Sequence, residues 1–178
     1  MRIALDTEFY ENGRTIELIS VGLVNDEGDE YYAEVVGAGV IAESTPWLAE
    51  NVRQHLTGTR KPKTLIAHEI VEFADLEPEF WAWYGSYDWV VLCQLFGTMM
   101  DLPPTWPMFI RDLRQVTDST QLPPQLPSDG PEHHALSDAK WLMRAMKQHD
   151  EEVADKEKAW QMFEDWHANQ KSATVSTG

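Results

Sequence analysis

Five side chains in this sequence could together carry out acid–base or metal-assisted chemistry: Asp6, Glu8, Asp88, His133 and Asp138. Asp6 and Glu8 follow the run Arg2-Ile3-Ala4-Leu5. Along a strand, residues two apart point the same way, so both acids reach one point in space, with Cα atoms about 7 Å apart. Acidic residues are disfavoured in strands. Either the pair has a cation to hold, or the strand ends at Leu5 and both acids are solvated. Asp88 follows Tyr84-Gly85-Ser86-Tyr87, where an aromatic-rich strand gives way to an apolar helix. Ligands of open α/β sheets gather at such strand ends, although an acid in a first helical turn also simply favours the macrodipole. His133 and Asp138 are separated by four residues. On one continuous helix they would lie about 140° apart. They converge only if His133 precedes a helix and Asp138 sits in its first turn, and Gly130-Pro131 just upstream mark such a start. The ordinary alternative makes His133 a cap or a surface residue. Clustered carboxylates repel one another until divalent cations neutralise them, and imidazole is the side chain suited to proton abstraction near neutral pH.

The elements that must position these groups are readable in outline. Met1 to Thr7, Ile16 to Val24 and Glu30 to Val36 read as an antiparallel meander, with turn signals at Asn12-Gly13 and around Gly28. The middle strand is apolar on both faces, as in a sheet covered by helices on both sides. Helices are expected over 47–56, with Ser44 or Thr45 as N-cap and Pro46 at the first position, and over 65–75. An aromatic strand over 79–84 and a helix over 88–96 follow, and this alternation makes the fourth strand parallel to the first. A short helix is expected over 108–116. The stretch 117–132 has four prolines and reads as an irregular loop. Helices over 135–146 and 151–168 complete a single domain, 1–168, and residues 169–178 read as a disordered tail.

The 178-residue chain has 43% hydrophobic residues, enough for one core. No apolar run is long enough for a membrane span, and no N-terminal signal segment is seen. The single cysteine, Cys93, excludes internal disulfides and cysteine-based zinc sites, fits a reducing compartment, and lies in the apolar run Trp89 to Cys93 as a buried hydrophobe. A formal charge of −16 argues against a protein that coats nucleic acid. It leaves room for an enzyme that grips only a strand end. Of the aromatic residues, Phe9, next to Glu8, is the candidate for stacking on a base, with strand-edge packing as its alternative. Trp81, Trp83, Trp89 and Trp141 fall in apolar segments and read as packing, and His68, Glu69 and Glu72 share one helix and read as surface.

Taken as an ordered set, Asp6-x-Glu8, Asp88 and His133-x4-Asp138 resemble the DEDDh exonuclease family. Further segments, among them Asp6-Thr7-Glu8-Phe9, Trp81-Ala82-Trp83 and Leu102-Pro103-Pro104-Thr105, are similar to its adenylate-specific branch of exoribonucleases known from mycobacteria. The resemblance covers residues 1 to about 146 and has one departure, His134 where asparagine is common. It implies a ribonuclease H-like mixed α/β sheet of about five strands, a meander followed by a parallel strand, with helices on both faces. It also implies cleavage of single-stranded RNA from its 3′ end, releasing 5′-nucleoside monophosphates, with a preference for adenylate. Two Mg2+ ions, replaceable by Mn2+, would be held by Asp6, Glu8, Asp88 and Asp138. Asp6 would bridge them and His133 would act as base, closing over substrate with the proline-rich loop. A homodimer in the cytoplasm is the implied form. Two alternatives stay open: a DNA-directed exonuclease of the same fold, and a non-catalytic acidic metal-binding adaptor.

Overall fold

The computed structural model describes residues 1–128 and 130–175, with side chains as far as residue 166. The meander forms as expected: β1 (Arg2–Glu11), β2 (Ile16–Asn25) and β3 (Glu30–Val35) pair antiparallel in sequence. After β3 come a single helical turn, α1 (Ala38–Ile41), and α2 (Pro46–Asn51). Thr45 caps α2, its hydroxyl accepting the Leu48 N–H at 3.1 Å, and Pro46 takes the first position, where its missing N–H costs nothing. Beyond β4 (Arg60–Lys61) and α3 (Lys63–Phe73), β5 (Glu79–Ala82) pairs parallel with β1. Then follow α4 (Ser86–Phe96), β6 (Arg111–Asp112), α5 (Leu113–Thr120) and α6 (Ala135–Val175). The sheet order is β4-β3-β2-β1-β5-β6, a mixed sheet in which the antiparallel meander is flanked by parallel strands.

Three details depart from the sequence reading. The sheet has six strands rather than about five, because two two-residue strands, β4 and β6, add to its edges. The expected helix over 108–116 is replaced by β6 leading into α5, and α5 runs to Thr120, so the irregular loop starts at Gln121. Asp112 is the reason for the new start: its carboxylate accepts the Arg114 N–H at 2.9 Å and caps α5. Finally, the helices expected at 135–146 and 151–168 are one element, α6, since Lys147 to Asp150 contain neither glycine nor proline to break the hydrogen-bond ladder. The backbone of α6 is helical to Val175, into the segment expected to be a tail. Residues 176–178 lie outside the described residues. Among the described residues, no helix is long and apolar enough to cross a membrane.

The two faces of the sheet carry separate cores. Ile3, Leu5, Ile19, Val21 and Leu23 pack against Ile66 and Ile70 of α3 and Val91 and Leu92 of α4, with Cys93 buried among them. On the other face Ala4 and Val24 pack against Ala139, Leu142, Met143 and Met146 of α6. The β1 residues that alternate with Ile3, Leu5 and Thr7 therefore look toward α6, and Asp6 and Glu8 belong to this set. Gly22, paired with Asp6 across β1 and β2, lets α6 come this close. A Cβ there would sit 2.4 Å from the carbonyl group of Ala135 and from the Leu136 nitrogen.

Candidate active site

Asp6 and Glu8 lie within β1, not beyond its end. Asp138 enters from the first turn of α6, and one carboxylate oxygen from each of the three residues lies within 4.8 Å of the others. Asp88 sits in the first turn of α4 and lines the same cleft. One of its oxygens is fixed by Thr7, which donates its backbone N–H at 2.9 Å and its hydroxyl at 2.7 Å. Thr7 points away from Asp6 and Glu8, so a single tripeptide presents two acids to α6 and ties Asp88 from the opposite face. The register with β2 then shifts between Glu8, paired with Ser20, and Phe9, paired with Leu18, and Phe9 borders the cleft while packing against the core on the α4 side.

Burial dominates the electrostatics. It holds the Asp6 carboxyl well above the usual range, and the facing charges of Asp88, Glu8 and Asp138 add to the effect. Glu8 is pushed up to about 8, by burial first and then by Asp138 and Asp88. Asp88 rises to about 6 through burial, with the Thr7 hydrogen bonds pulling the other way. Burial also raises Asp138, against the opposing hydrogen bond from His133. Such a set either holds protons or holds cations. Its all-oxygen donors are the kind that Mg2+, Mn2+ and Ca2+ take, and among the described residues no cysteine lines the cleft.

The two adjacent histidines have different surroundings. His133 precedes α6 in a left-handed conformation (φ 62°), donates its backbone N–H to Asp138 at 3.0 Å, and lines the cleft with its ring edge-on to Trp47 at 4.8 Å. This is the arrangement in which a His-x4-Asp pair converges. The ring of His134 stacks on Tyr32 at 4.7 Å, and its Nδ1 accepts the Ser137 N–H at 3.3 Å. It caps α6, and burial, followed by the proximity of His55, lowers its pKa. An Nδ1 that accepts a hydrogen bond cannot also carry a proton.

The cleft has a volume of about 670 Å³, within the range that encloses small ligands. The lining also contains residues that sequence reasoning missed, Trp47, Tyr84, Tyr87 and Glu132, while Trp83 and Trp141, assigned to packing, border it as well. Phe9 reaches it against Tyr87, at 5.6 Å between rings. The available signal was three aromatic residues, Trp83, Tyr84 and Tyr87, flanking Gly85, the glycine before the α4 acid. The loop after α5 is fastened to α6. Gln125 N–H meets Gln148, Trp141 Nε1 donates to the Leu126 carbonyl, and Arg144 donates to the Pro127 carbonyl. Of the residues expected on the surface, His68 and Glu72 are exposed and lie 3.4 Å apart, Nε2 to carboxylate oxygen, whereas Glu69 is tied to Tyr31 and Lys61.

Comparison with known proteins shows the family. The family model described as the 3′-5′ exoribonuclease Rv2179c-like domain matches residues 1–150. Two proteins of Mycobacterium tuberculosis are each 41% identical over 155 residues, covering 83% of this chain and 92% of the relative. They are the 3′-5′ exoribonuclease Rv2179c of strain H37Rv and the 3′-5′ exoribonuclease MT2234.1 of strain CDC 1551. Asp6, Glu8, Asp88, His133 and Asp138 all fall inside the matched span, and with it this chain belongs to the Rv2179c-like 3′-5′ exoribonuclease family.

Proposed function

We infer that residues 1–168 form one exonuclease domain that removes nucleotides singly from the 3′ end of single-stranded RNA, releases 5′-nucleoside monophosphates and favours adenylate. The observation that carries this reading is the convergence of the Asp6, Glu8 and Asp138 carboxylates within 4.8 Å, beside a histidine tethered to Asp138. Asp6, Glu8 and Asp138, with Asp88 on the same cleft, would hold two Mg2+ ions, which Mn2+ could replace. When bound, the ions supply Lewis-acid stabilisation of the charge that develops on the phosphoryl oxygens. His133 takes the proton of the attacking water as general base. Thr7 keeps Asp88 in place, and the backbone bond from His133 to Asp138 couples the position of the base to that of the acid. Phe9 stacks on the terminal base, as its place one residue beyond Glu8 allows.

The experiment is digestion of 5′-labelled RNA and DNA oligomers of matched sequence, including oligo(A), in Mg2+ and in EDTA, with Asp6→Ala as control. Stepwise 3′ shortening that requires both Mg2+ and Asp6, faster on RNA than on DNA, supports the reading. A faster rate on DNA transfers it to a DNA-directed exonuclease of the same fold. No shortening by well-folded protein leaves a metal-binding adaptor. The resemblance further suggests a cytoplasmic homodimer, and gel filtration at about the 20.4 kDa monomer mass would refute the dimer.

A further inference from the structure

The cleavage chemistry leaves Tyr84 unexplained. Its backbone lies at φ 61°, in the left-handed region that bulky residues rarely adopt. Conformations of this kind persist where the surroundings over-determine them. Here the Asp112 carboxylate accepts the Tyr84 N–H at 3.2 Å, and the Tyr84 carbonyl accepts the Ser86 N–H at 2.9 Å. The conformation does not serve to bury the ring. Tyr84 is 65% exposed, borders the carboxylate cleft, and stands edge-on to Trp83 at 5.8 Å. Arg114 completes the group. Its Nε donates to the Tyr84 hydroxyl at 3.1 Å, its guanidinium lies over Trp83 at 5.8 Å, and Nη1 pairs with Asp118 at 2.9 Å. Among the described residues, no lysine or arginine lines the cleft. Arg114 reaches the cleft through Tyr84.

A π-face held open to water beside a guanidinium is what a single strand of nucleic acid uses, because every base can stack and every linkage carries a phosphate. The ion pair with Asp118 does not block this. Its carboxylate is 60% exposed, and pairs of that kind contribute little in water, so a phosphate can replace it. The terminal nucleotide has nearer aromatic partners. Phe9 adjoins Glu8 and Trp47 touches His133, whereas the hydrogen bonds that hold Tyr84 run to Asp112, Arg114 and Ser86. We propose that Tyr84 and Arg114 form a subsite for the nucleotide on the 5′ side of the scissile phosphate, the base stacking on the Tyr84 ring and the backbone phosphate pairing with Arg114. The subsite rests on the exoribonuclease reading and extends it. Stacking tolerates any base, so the strand can advance by one nucleotide after each cut without losing its hold.

The test compares an RNA octamer with the p-nitrophenyl ester of a nucleoside 5′-phosphate, which has no nucleotide on the 5′ side. Tyr84→Gly removes the ring and suits the backbone angle, so the melting temperature is expected to hold or rise. The octamer-to-ester ratio of kcat/KM is expected to fall by roughly five- to a hundredfold, the range for one lost base stack. Tyr84→Phe keeps the ring and retains most of the ratio. Arg114→Gln lowers the ratio and flattens the salt dependence of octamer KM by about one phosphate contact. A ratio unchanged in Tyr84→Gly, or an equal loss on both substrates, overturns the subsite while leaving the nuclease intact. A wild-type protein that cleaves neither substrate overturns the exoribonuclease reading and the subsite together.

Discussion

Gly22→Ala is expected to disable the enzyme although Gly22 carries no reacting group. The residue pairs with Asp6 across β1 and β2, and its missing side chain is where α6 begins. A methyl group at that position would lie 2.4 Å from the carbon and oxygen of the Ala135 carbonyl and from the Leu136 nitrogen. Non-bonded heavy atoms settle at about 3.5–4.0 Å, so the start of α6 must retreat by roughly 1 Å or more. These are backbone atoms inside a helix, and no rotamer change relieves them. The segment that retreats carries Asp138 in its first turn and His133 just before it, whose carboxylate and imidazole must meet Asp6 and Glu8. A misplacement of about 1 Å in a catalytic constellation costs on the order of a hundredfold in rate. Overpacking adds about 1–3 kcal/mol of destabilisation, or roughly 2–12 °C in melting temperature for a domain of this size. Thermal melts in EDTA and in Mg2+, with initial rates on oligo(A), measure both effects. Gly39→Ala is the control: Gly39 lies in α1, and a Cβ there meets only the Arg60 guanidinium at 3.5 Å, so stability should hold or rise. Wild-type rate and melting temperature in Gly22→Ala would refute the packing argument. Lost stability with an unchanged kcat would refute the claim that Gly22 sets the position of the proposed catalytic groups.

Other perturbations have equally definite expectations. Without cations, Glu8 is raised to about 8 and Asp6 also lies above its usual range, so the folded state holds protons that the unfolded chain releases above about 4.5. The stability this gives is complete below pH 4.5 and is lost as pH rises through 8. The melting temperature gained on adding Mg2+ should therefore be larger at pH 8 than at pH 6, and equal gains would count against the carboxylates as the metal ligands. His133→Asn is expected to lower kcat by about 10²–10⁴-fold with little change in melting. His134→Ala should do the reverse, losing about 0.5–2 kcal/mol of stability with the α6 cap, and a kinetic assay paired with a urea melt separates the two. Glu34, fully buried, accepts hydrogen bonds from Tyr32, Thr57 and Gly58. The donors converge on Oε1, so in Glu34→Gln the amide oxygen takes that place while the amide nitrogen, a donor, faces the Gly58 N–H, and the change should cost about 1–3 kcal/mol in a urea melt.

What could be read from the sequence was whatever depends on residues close together along the chain. Strand alternation put Asp6 and Glu8 on one face, and a helix start after Gly130-Pro131 brought His133 to Asp138. The apolar character of β2 on both faces announced helices on both sides of the sheet. The parts that escaped are decided by neighbours distant in sequence. Two-residue strands have no period to detect, so β4 and β6 were invisible. Gly22 read as an ordinary strand residue, because nothing local says that a helix start 113 positions later will rest on it. Trp47, Tyr84 and Tyr87 have the same composition signal whether they pack inward or stand at a cleft.

The largest apparent contradiction, a chain of net charge −16 that acts on a polyanion, resolves at this level. Most of the acids divide between a cleft, where burial and mutual repulsion favour bound protons or cations, and a surface where they are solvated, while Glu34 is buried among hydrogen-bond donors. On the proposed reading, affinity for the strand comes from bound cations, from aromatic faces and from a few placed guanidinium groups rather than from a basic surface. Binding should accordingly lose less to added salt than binding by a basic groove does. A steep dependence, equivalent to six or more phosphate contacts, would mean that the strand is gripped by lysines and arginines elsewhere on the protein.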